Sequence, residues 1–284
     1  MVAVALGAQG RYAAAATELA ALAADPGVPS AVAAHAAVTR ASHLRQLGGH
    51  GAARRFDARG LRLAVQAPIG SRDADGTDAQ GAQVDALVGL AADALGVGDQ
   101  VVACRLLDRA ERSVPGHPSW RVPVRAGWVR AELALLMGQA SAAVGPASAA
   151  LDRARAAGAC RHTLKSRLVL AVATAAAGTW DAVAVLAELD AVASACAAHG
   201  LLPLQWAACV AAGDVASRDD KRRRTAAGDG SAAHAGILRR HAAARVLGVL
   251  YRRTDPVGRS RMGVADAPRS DGGVISSFGP NSPT

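Results

Sequence analysis

The stretch that decides the fold runs from Gly98 to Pro115 and reads GDQVVACRLLDRAERSVP. Ala103, Leu107 and Ala110 recur at intervals of three and four residues, which places them on one face of a helix that follows the glycine. The proline ends this segment because its ring cannot continue a helix. The stretch therefore predicts one amphipathic helix with a glycine turn before it.

The same frame returns at Gly138 and Gly178, so a turn glycine recurs every 40 residues. Each glycine closes one Ala/Leu-rich stretch and opens another. The positions in register with one another are small or apolar: Ala91, Ala131 and Ala171 before the glycines, and Ala103, Ala143 and Val183 after them. The unit after Gly178 also carries Trp180. A fixed period of this length is typical of stacked helix pairs, in which each pair buries the bare face of its neighbour.

Composition agrees with an all-α fold. Aromatic residues make up only 3% of the chain and about a quarter of it is alanine, the best helix former. No alternating β-branched run bounded by turn residues predicts a sheet. We predict a right-handed α-solenoid of about six antiparallel helix pairs. Their bounds are Val2–Ala8 with Tyr12–Ala24, Ser30–Leu47 with Gly51–Val65, Ala79–Leu95 with Gln100–Ser113, Ser119–Met137 with Ser141–Ala157, Arg161–Ala177 with Trp180–Ala198, and Pro203–Val215 with Ser231–Arg253.

The first unit carries a family resemblance. Gly10 and Tyr12 are followed by Ala15, Leu19 and a turn at Pro26, and this spacing resembles the second half of a tetratricopeptide repeat (TPR). The resemblance extends over residues 1–217, although the 40-residue period is longer than the usual length of about 34 residues. It implies a concave groove, lined by the first helix of each pair, that binds a protein or peptide.

The chain divides by composition into segments. Residues 1–67 hold the first two pairs, 68–78 form a flexible connector, and 79–217 hold the central pairs. A basic insertion loop follows at 218–230, then the last helix at 231–253 and a tail at 254–284 whose Gly, Pro and Ser content predicts disorder. Because only nine residues precede Gly10, the first helix is clipped, and we expect the true start to lie upstream.

Most of the net charge of +9 lies in the C-terminal quarter. Residues 218–284 contain 13 Lys and Arg against 6 Asp and Glu. A solvated, solubilising surface is the first interpretation, and binding to a polyanion is the alternative. The residues that would bind a polyanion are Lys221, Arg222, Arg223, Arg224, Arg239 and Arg240.

The sequence offers little for catalysis. We find no phosphate loop, dinucleotide fingerprint, nucleophile elbow or HExxH motif, and the four cysteines lack the spacing of a zinc site or a disulfide framework. We therefore expect no enzyme, no metal and no cofactor. His162 is expected to cap a helix or to face solvent, and Trp120 and Trp128 are expected to fill gaps in a core of small residues.

These observations predict a non-catalytic, TPR-like scaffold or adaptor that binds a protein or peptide, and the alternative is a nucleic-acid-associated or regulatory protein acting through residues 218–253. No segment has the length and apolarity of a membrane span, and no signal peptide is recognisable, so we expect a cytoplasmic protein without a membrane partner. Arginines on the first helices of the pairs would suit an acidic partner. They are Arg121, Arg125, Arg130 and Arg167.

Overall fold

Helices make up the regular structure of the chain in the computed structural model, which describes residues 1–68, 70, 72–227 and 233–262, without the side chains of 222–227 and 233–235. No strand occurs in this part of the chain. The helices are α1 (Val2–Ala8), α2 (Tyr12–Ala24), α3 (Ser30–Gln46), α4 (His50–Gln66), α5 (Ala79–Gly96), α6 (Gln100–Arg112), α7 (Arg121–Leu136), α8 (Ala140–Ala156), α9 (Cys160–Ala177), α10 (Ala182–Ala198), α11 (Leu202–Ala227), α12 (Ala233–Arg252) and α13 (Pro256–Arg259). None of these helices is long and apolar enough to cross a membrane.

Alanine at the helix crossings sets the spacing of the array. The in-register residues Ala91, Ala131 and Ala171 are each fully buried. Ala103 and Ala143 are fully buried at the matching place of the second helices. A methyl group at each crossing lets neighbouring helices approach closely, which is how a core with few aromatic residues fills its volume.

The unit after Gly178 departs from this frame. Trp180 and Val183, which the repeat frame placed on the packed face, are exposed by 43% and 65%, and Val185 and Leu189 are buried instead. The reason is a longer turn: α6 begins two residues after its glycine, whereas α10 begins four residues after Gly178, with Asp181 capping Ala184 N at 2.7 Å. The two extra residues shift the buried face along the helix by the same amount.

The array curves toward its odd-numbered helices. Each of α1, α3, α5, α7 and α9 contacts the next odd-numbered helix, whereas the even-numbered helices contact only the odd-numbered ones beside them in most of the array. The odd-numbered helices therefore line the concave side of the solenoid. This arrangement makes their third face, turned away from both neighbours, the interior surface.

The two ends of the array meet. Helix α11 contacts α1, and Tyr12 shares a buried cluster with Leu47, Val246 and Leu250. The backbone takes part as well, because Ala13 N donates to the Arg253 carbonyl oxygen at 3.2 Å. The first and last helix pairs are therefore in direct contact.

Three expectations about the irregular segments need correction. Helix α11 continues through residues 218–227, which were predicted as part of an insertion loop, because α12 packs along this helix. The rest of the predicted loop lies outside the described residues. In the connector, Gly76 and Asp75 bind Arg121, so this part is held in place. In the tail, residues 254–262 fold as α13 and the turns beside it. The Asp255 side chain accepts a hydrogen bond from Gly258 N, and Met262 packs against the cluster that contains Tyr12. The remaining tail lies outside the described residues.

Candidate functional site

The interior surface begins with the first turns of α7. On this helix Val122 and Val129 pack toward α5 and α6, and Val124 and Ala131 pack toward α8 and α9. The remaining face carries Arg121, Arg125 and Trp128, spaced by four and three residues. Packing on two sides therefore directs the arginines of the third face into the interior.

Both arginines meet one buried carboxylate. Arg121 Nη1 lies 2.5 Å from Asp85 Oδ2, and Arg125 Nη1 lies 3.0 Å from Asp85 Oδ1, with Asp85 on α5. Burial alone would raise the pKa of Asp85, but Arg125 and Arg121 outweigh burial and hold that pKa below its usual value. Two cations thus share one anion here.

A second buried cluster joins α3, α4 and α5. Arg45 Nη1 lies 2.7 Å from Asp57 Oδ2 and 2.6 Å from Asp93 Oδ1, and it also donates to the Gly89 carbonyl oxygen at 3.0 Å. Burial raises the pKa of Asp57 to about 7, against the attraction of Arg45. Nη1 of this arginine therefore has no donor capacity to spare.

Helix α9 supplies two further cations and an aromatic stack. Arg161 and Lys165 are four residues apart, and His162 stacks on Trp128 with ring centroids 5.4 Å apart. Trp120 meets the same imidazole edge-on at 4.9 Å, so His162 packs between two indoles and does not face solvent as expected. The Lys165 ammonium lies 4.8 Å from the centre of the Trp128 ring, which brings α9's cations beside those of α7.

Arg161 differs from the other interior arginines. Within the described part of the chain, no carboxylate lies within 4.0 Å of its guanidinium and no hydrogen bond reaches it. Burial lowers its pKa, and the two groups that oppose this shift are the weak acids Tyr12 and Cys196. Lys165 has only a distant partner, Glu132, at 3.9 Å.

The interior cations on α3, α7 and α9 act on one another electrostatically. Burial lowers the pKa of Lys165, and Arg161, Arg125 and Arg45 lower it further, although Arg45 lies on α3 and Lys165 on α9. The side chain of Lys165 is nevertheless 37% exposed, and that of Arg125 is 20% exposed. Both cations therefore keep part of their surface in contact with solvent.

The interior histidines stay uncharged at neutral pH. Burial lowers the pKa of His162 to about 3, and Arg161, Arg125 and Arg121 lower it as well. Burial and the charges of Arg40 and Arg161 lower the pKa of His43 to about 4. Burial is the main cause of both shifts, and the nearby arginines add to it.

The structure separates the four arginines proposed for an acidic partner. Arg121 and Arg125 lie in the interior, whereas Arg130 and Arg167 point to the second helices beside them. Arg130 Nη2 lies 2.8 Å from Asp108 Oδ1, beside an outer cleft of about 360 Å³, and Arg167 Nε lies 2.6 Å from Glu188 Oε1. Arg130 therefore links α7 to α6, and Arg167 links α9 to α10.

The basic C-terminal residues are partly engaged. Arg239 Nη2 lies 2.6 Å from Asp190 Oδ2, and Arg240 donates to Ser217 Oγ. Lys221 lies on α11 and also has an interaction partner. The side chains of Arg222, Arg223 and Arg224 lie outside the described residues.

Sequence reasoning missed Arg45, Arg161 and Lys165. The signal that could have found two of them is their spacing: Arg161 and Lys165 stand four residues apart, as Arg121 and Arg125 do, 40 residues earlier. The repeat frame therefore places the two pairs at equivalent positions of successive units. Arg45 had no such partner and could be found only in three dimensions.

A second surface feature lies at the odd-to-even turns, whose glycines have positive φ: Gly10, Gly48, Gly98, Gly138 and Gly178. We call the surface formed by the last three of these turns the turn edge. Each of its turns exposes two large apolar side chains: Val97 and Val101, Leu136 and Met137, and Trp180 and Val183. Gln100 Nε2 donates to the Leu136 carbonyl oxygen at 3.2 Å, which holds the first two turns side by side.

The first two turns of the same series are covered by the chain itself. Leu250 lies against Gly10, and Arg261 lies against Gly48 and Gly49. Leu47 is buried in the cluster that Met262 joins, and Gly258 of α13 lies against it. Among the described residues, α12 and the segment up to Met262 thus cover the glycine turns at one end of the series and do not cover the turn edge.

Known chemistry and known families give no further assignment. Among the described residues, no group of three His, Cys, Asp or Glu side chains could hold a metal ion. No protein-family model matches the chain, and no curated protein matches it. Among solved structures, the crystal structure of BtubC (BKLC) from P. vanneervenii is similar, with 14% identity, a TM-score of 0.49, and 96% of each chain covered.

Proposed function

We propose that this protein is a non-catalytic, TPR-like adaptor in the cytoplasm that binds a partner protein at the turn edge. The observation that carries the proposal is the row of six exposed apolar side chains on three successive turns. Contiguous exposed apolar surface is typical of sites for protein interaction, whereas single exposed apolar residues are ordinary. The turns are held by the repeat, so the surface is formed before the partner binds.

The partner that fits is an amphipathic helix. The chain's own C-terminal segment shows how such turns are covered, since α13 and Met262 place apolar atoms against Leu47 and the glycines beside it. The turn at Gly48–Gly49 is continuous with the turn edge, because His50 lies against Gly96. A partner helix with one apolar face would continue this covered surface across the three bare turns.

The test compares three forms of the full chain in quantitative affinity purification. The edge variant replaces Val101, Met137 and Val183 by Glu. The control variant replaces Leu22, Val32 and Val65 by Glu, because these side chains are also exposed apolar residues at 36%, 44% and 60% but lie away from the turn edge. We expect the wild type and the control variant to retain a partner protein that the edge variant loses. When that partner is purified, it should bind the wild type and the control variant more tightly than the edge variant.

Equal retention by all three forms would contradict the proposal, as would the absence of any protein specific to the wild type. Circular dichroism checks that both variants stay helical. Salt-sensitive binding of DNA or RNA that the edge variant retains would instead support the alternative function of residues 218–253.

A further inference from the structure

We propose that the interior surface of α7 and α9 is a binding site for a phosphate group, free or carried by a small organic molecule, held by Arg125, Arg161 and Lys165. This site is separate from the turn edge and does not depend on the partner proposed there.

The first argument is the surplus of positive charge. Arg121 and Arg125 both pair with the carboxylate of Asp85, the more distant Asp57 also acts on Arg125, and Lys165 reaches Glu132 only at 3.9 Å. Arg161 has no carboxylate within ion-pairing distance among the described residues. Charges removed from bulk water are costly unless an opposite charge meets them, so an anion in this space would be strongly favoured.

The second argument is geometric. Trp128 contacts both His162 and Lys165, and this fixes the first turns of α9 beside α7. Trp128 Nε1 donates to Ser166 Oγ at 2.8 Å, so the aromatic platform is rigid. Arg161, Lys165 and Arg125 therefore lie on preorganised helices rather than on loops, and ordering them at binding costs little.

The third argument selects the ligand. Two guanidinium forks and an ammonium from two helices offer many donors with different directions, which a tetrahedral group with several charged oxygens can accept at once. A single carboxylate would leave part of this charge uncompensated. The neutral His162 beside these cations can donate one more hydrogen bond or accept one, without adding charge.

The test measures phosphate binding by isothermal titration calorimetry and by thermal unfolding, at constant ionic strength with sodium chloride as the exchanged salt. The test variant replaces both Arg161 and Lys165 by Gln. The charge-matched control replaces Arg54 and Arg55, two exposed arginines of α4, by Gln. Glycerol phosphate in a parallel titration separates an organic phosphate from the free ion.

We expect saturable binding to the wild type and the control, with an increase in Tm, and at least a tenfold weaker affinity for the test variant. Without phosphate, we expect the test variant to unfold at a higher temperature than the wild type, because two mutually repelling cations are gone. A second readout is the pKa of His162 measured by NMR, which should rise when phosphate binds, since an anion nearby favours the imidazolium.

The proposal is overturned if the folded wild type shows no saturable phosphate effect beyond that of chloride, or if the test variant binds as tightly as the control. If the test variant fails to fold, the single variant Lys165→Met replaces it with the same expected outcomes. Loss of partner binding in the turn-edge variant with intact phosphate binding would show that the two sites are independent.

Discussion

Arg45 Nη1 on α3 contacts Asp57 Oδ2 on α4 at 2.7 Å, and the same nitrogen contacts Asp93 Oδ1 on α5 at 2.6 Å. One buried cation thus joins three consecutive helices of the array. The carboxylates carry almost no exposed surface, with side-chain exposures of 0% and 1%. This relationship ties the second helix pair to the third more tightly than apolar packing alone.

Replacing Arg45 by Met should destabilise the protein by about 3–5 kcal/mol, because it leaves two buried carboxylates without a cation. Chemical denaturation measures the change in the free energy of unfolding. Arg54→Met is the control, since Arg54 lies exposed on α4, and we expect it to change stability by less than about 0.5 kcal/mol. A loss of similar size in both variants would show that Arg45 acts only through its charge on the whole chain.

Replacing Gly89 by Ala should destabilise the protein by about 1–3 kcal/mol. A Cβ atom at this position would overlap the Asp57 carboxylate, which Arg45 holds in place. Gly51 on α4 is the control, because a Cβ there meets no side chain and no distant backbone atom within 4 Å. Gly51→Ala should stabilise the helix by up to about 1 kcal/mol, so the two changes should differ in sign by thermal unfolding.

Replacing Ser166 by Ala should cost about 1–3 kcal/mol, because it removes the acceptor of the buried Trp128 indole N–H. The near-ultraviolet circular dichroism of the tryptophans should also change. The exposed Ser141 on α8 is the control, and Ser141→Ala should leave both measurements unchanged.

Acid should destabilise the protein between about pH 6.5 and pH 3, partly through His162. Its pKa is lowered to about 3 in the folded protein, from an ordinary value of 6.5. The unfolded chain therefore takes up a proton in this range that the folded chain refuses, and stability that is present above pH 6.5 is lost as the pH falls. His162→Gln should flatten the dependence of unfolding free energy on pH, whereas the exposed His241→Gln should keep the wild-type slope.

Asp57 opposes this trend over part of the same range. Its folded pKa of about 7 is above its ordinary value of 3.8, so its contribution favours the folded state at low pH and is lost as the pH rises through 7. Asp57→Asn should therefore steepen the acid-induced loss of stability. An unchanged slope would mean that Asp57 is ionised in the folded protein.

Loosening the contact between the ends of the array should test its closure. Leu250→Ala should cost about 2–5 kcal/mol, because Leu250 is 3% exposed in the cluster with Tyr12 and covers Gly10. Leu238 on the same helix is 57% exposed and provides the control. Small-angle scattering should show an expanded chain for Leu250→Ala alone, and an unchanged radius of gyration would mean that closure has other determinants.

Much of the helical architecture could be predicted from the chain alone, because the repeat is local. Ala91, Ala131 and Ala171 identify the helix crossings by register, and their burial follows from helix geometry and small size. The repeat frame fails at the longer turn before α10. Two extra residues in this turn change which face of the helix is buried. Such a shift depends on a single cap, Asp181, which the 40-residue period does not reveal.

The interior site and the bare turn edge were decided by tertiary structure. The register could pair Arg121 with Arg125 and Arg161 with Lys165, but it could not show that Arg130 and Arg167 turn to the acids of outer helices. Small differences in curvature accumulate over successive helix pairs until α11 meets α1, and no local pattern encodes that sum. The sequence by itself determined which residues form helices and which faces pack, whereas long-range closure decided which charges face one another and which apolar turns stay exposed.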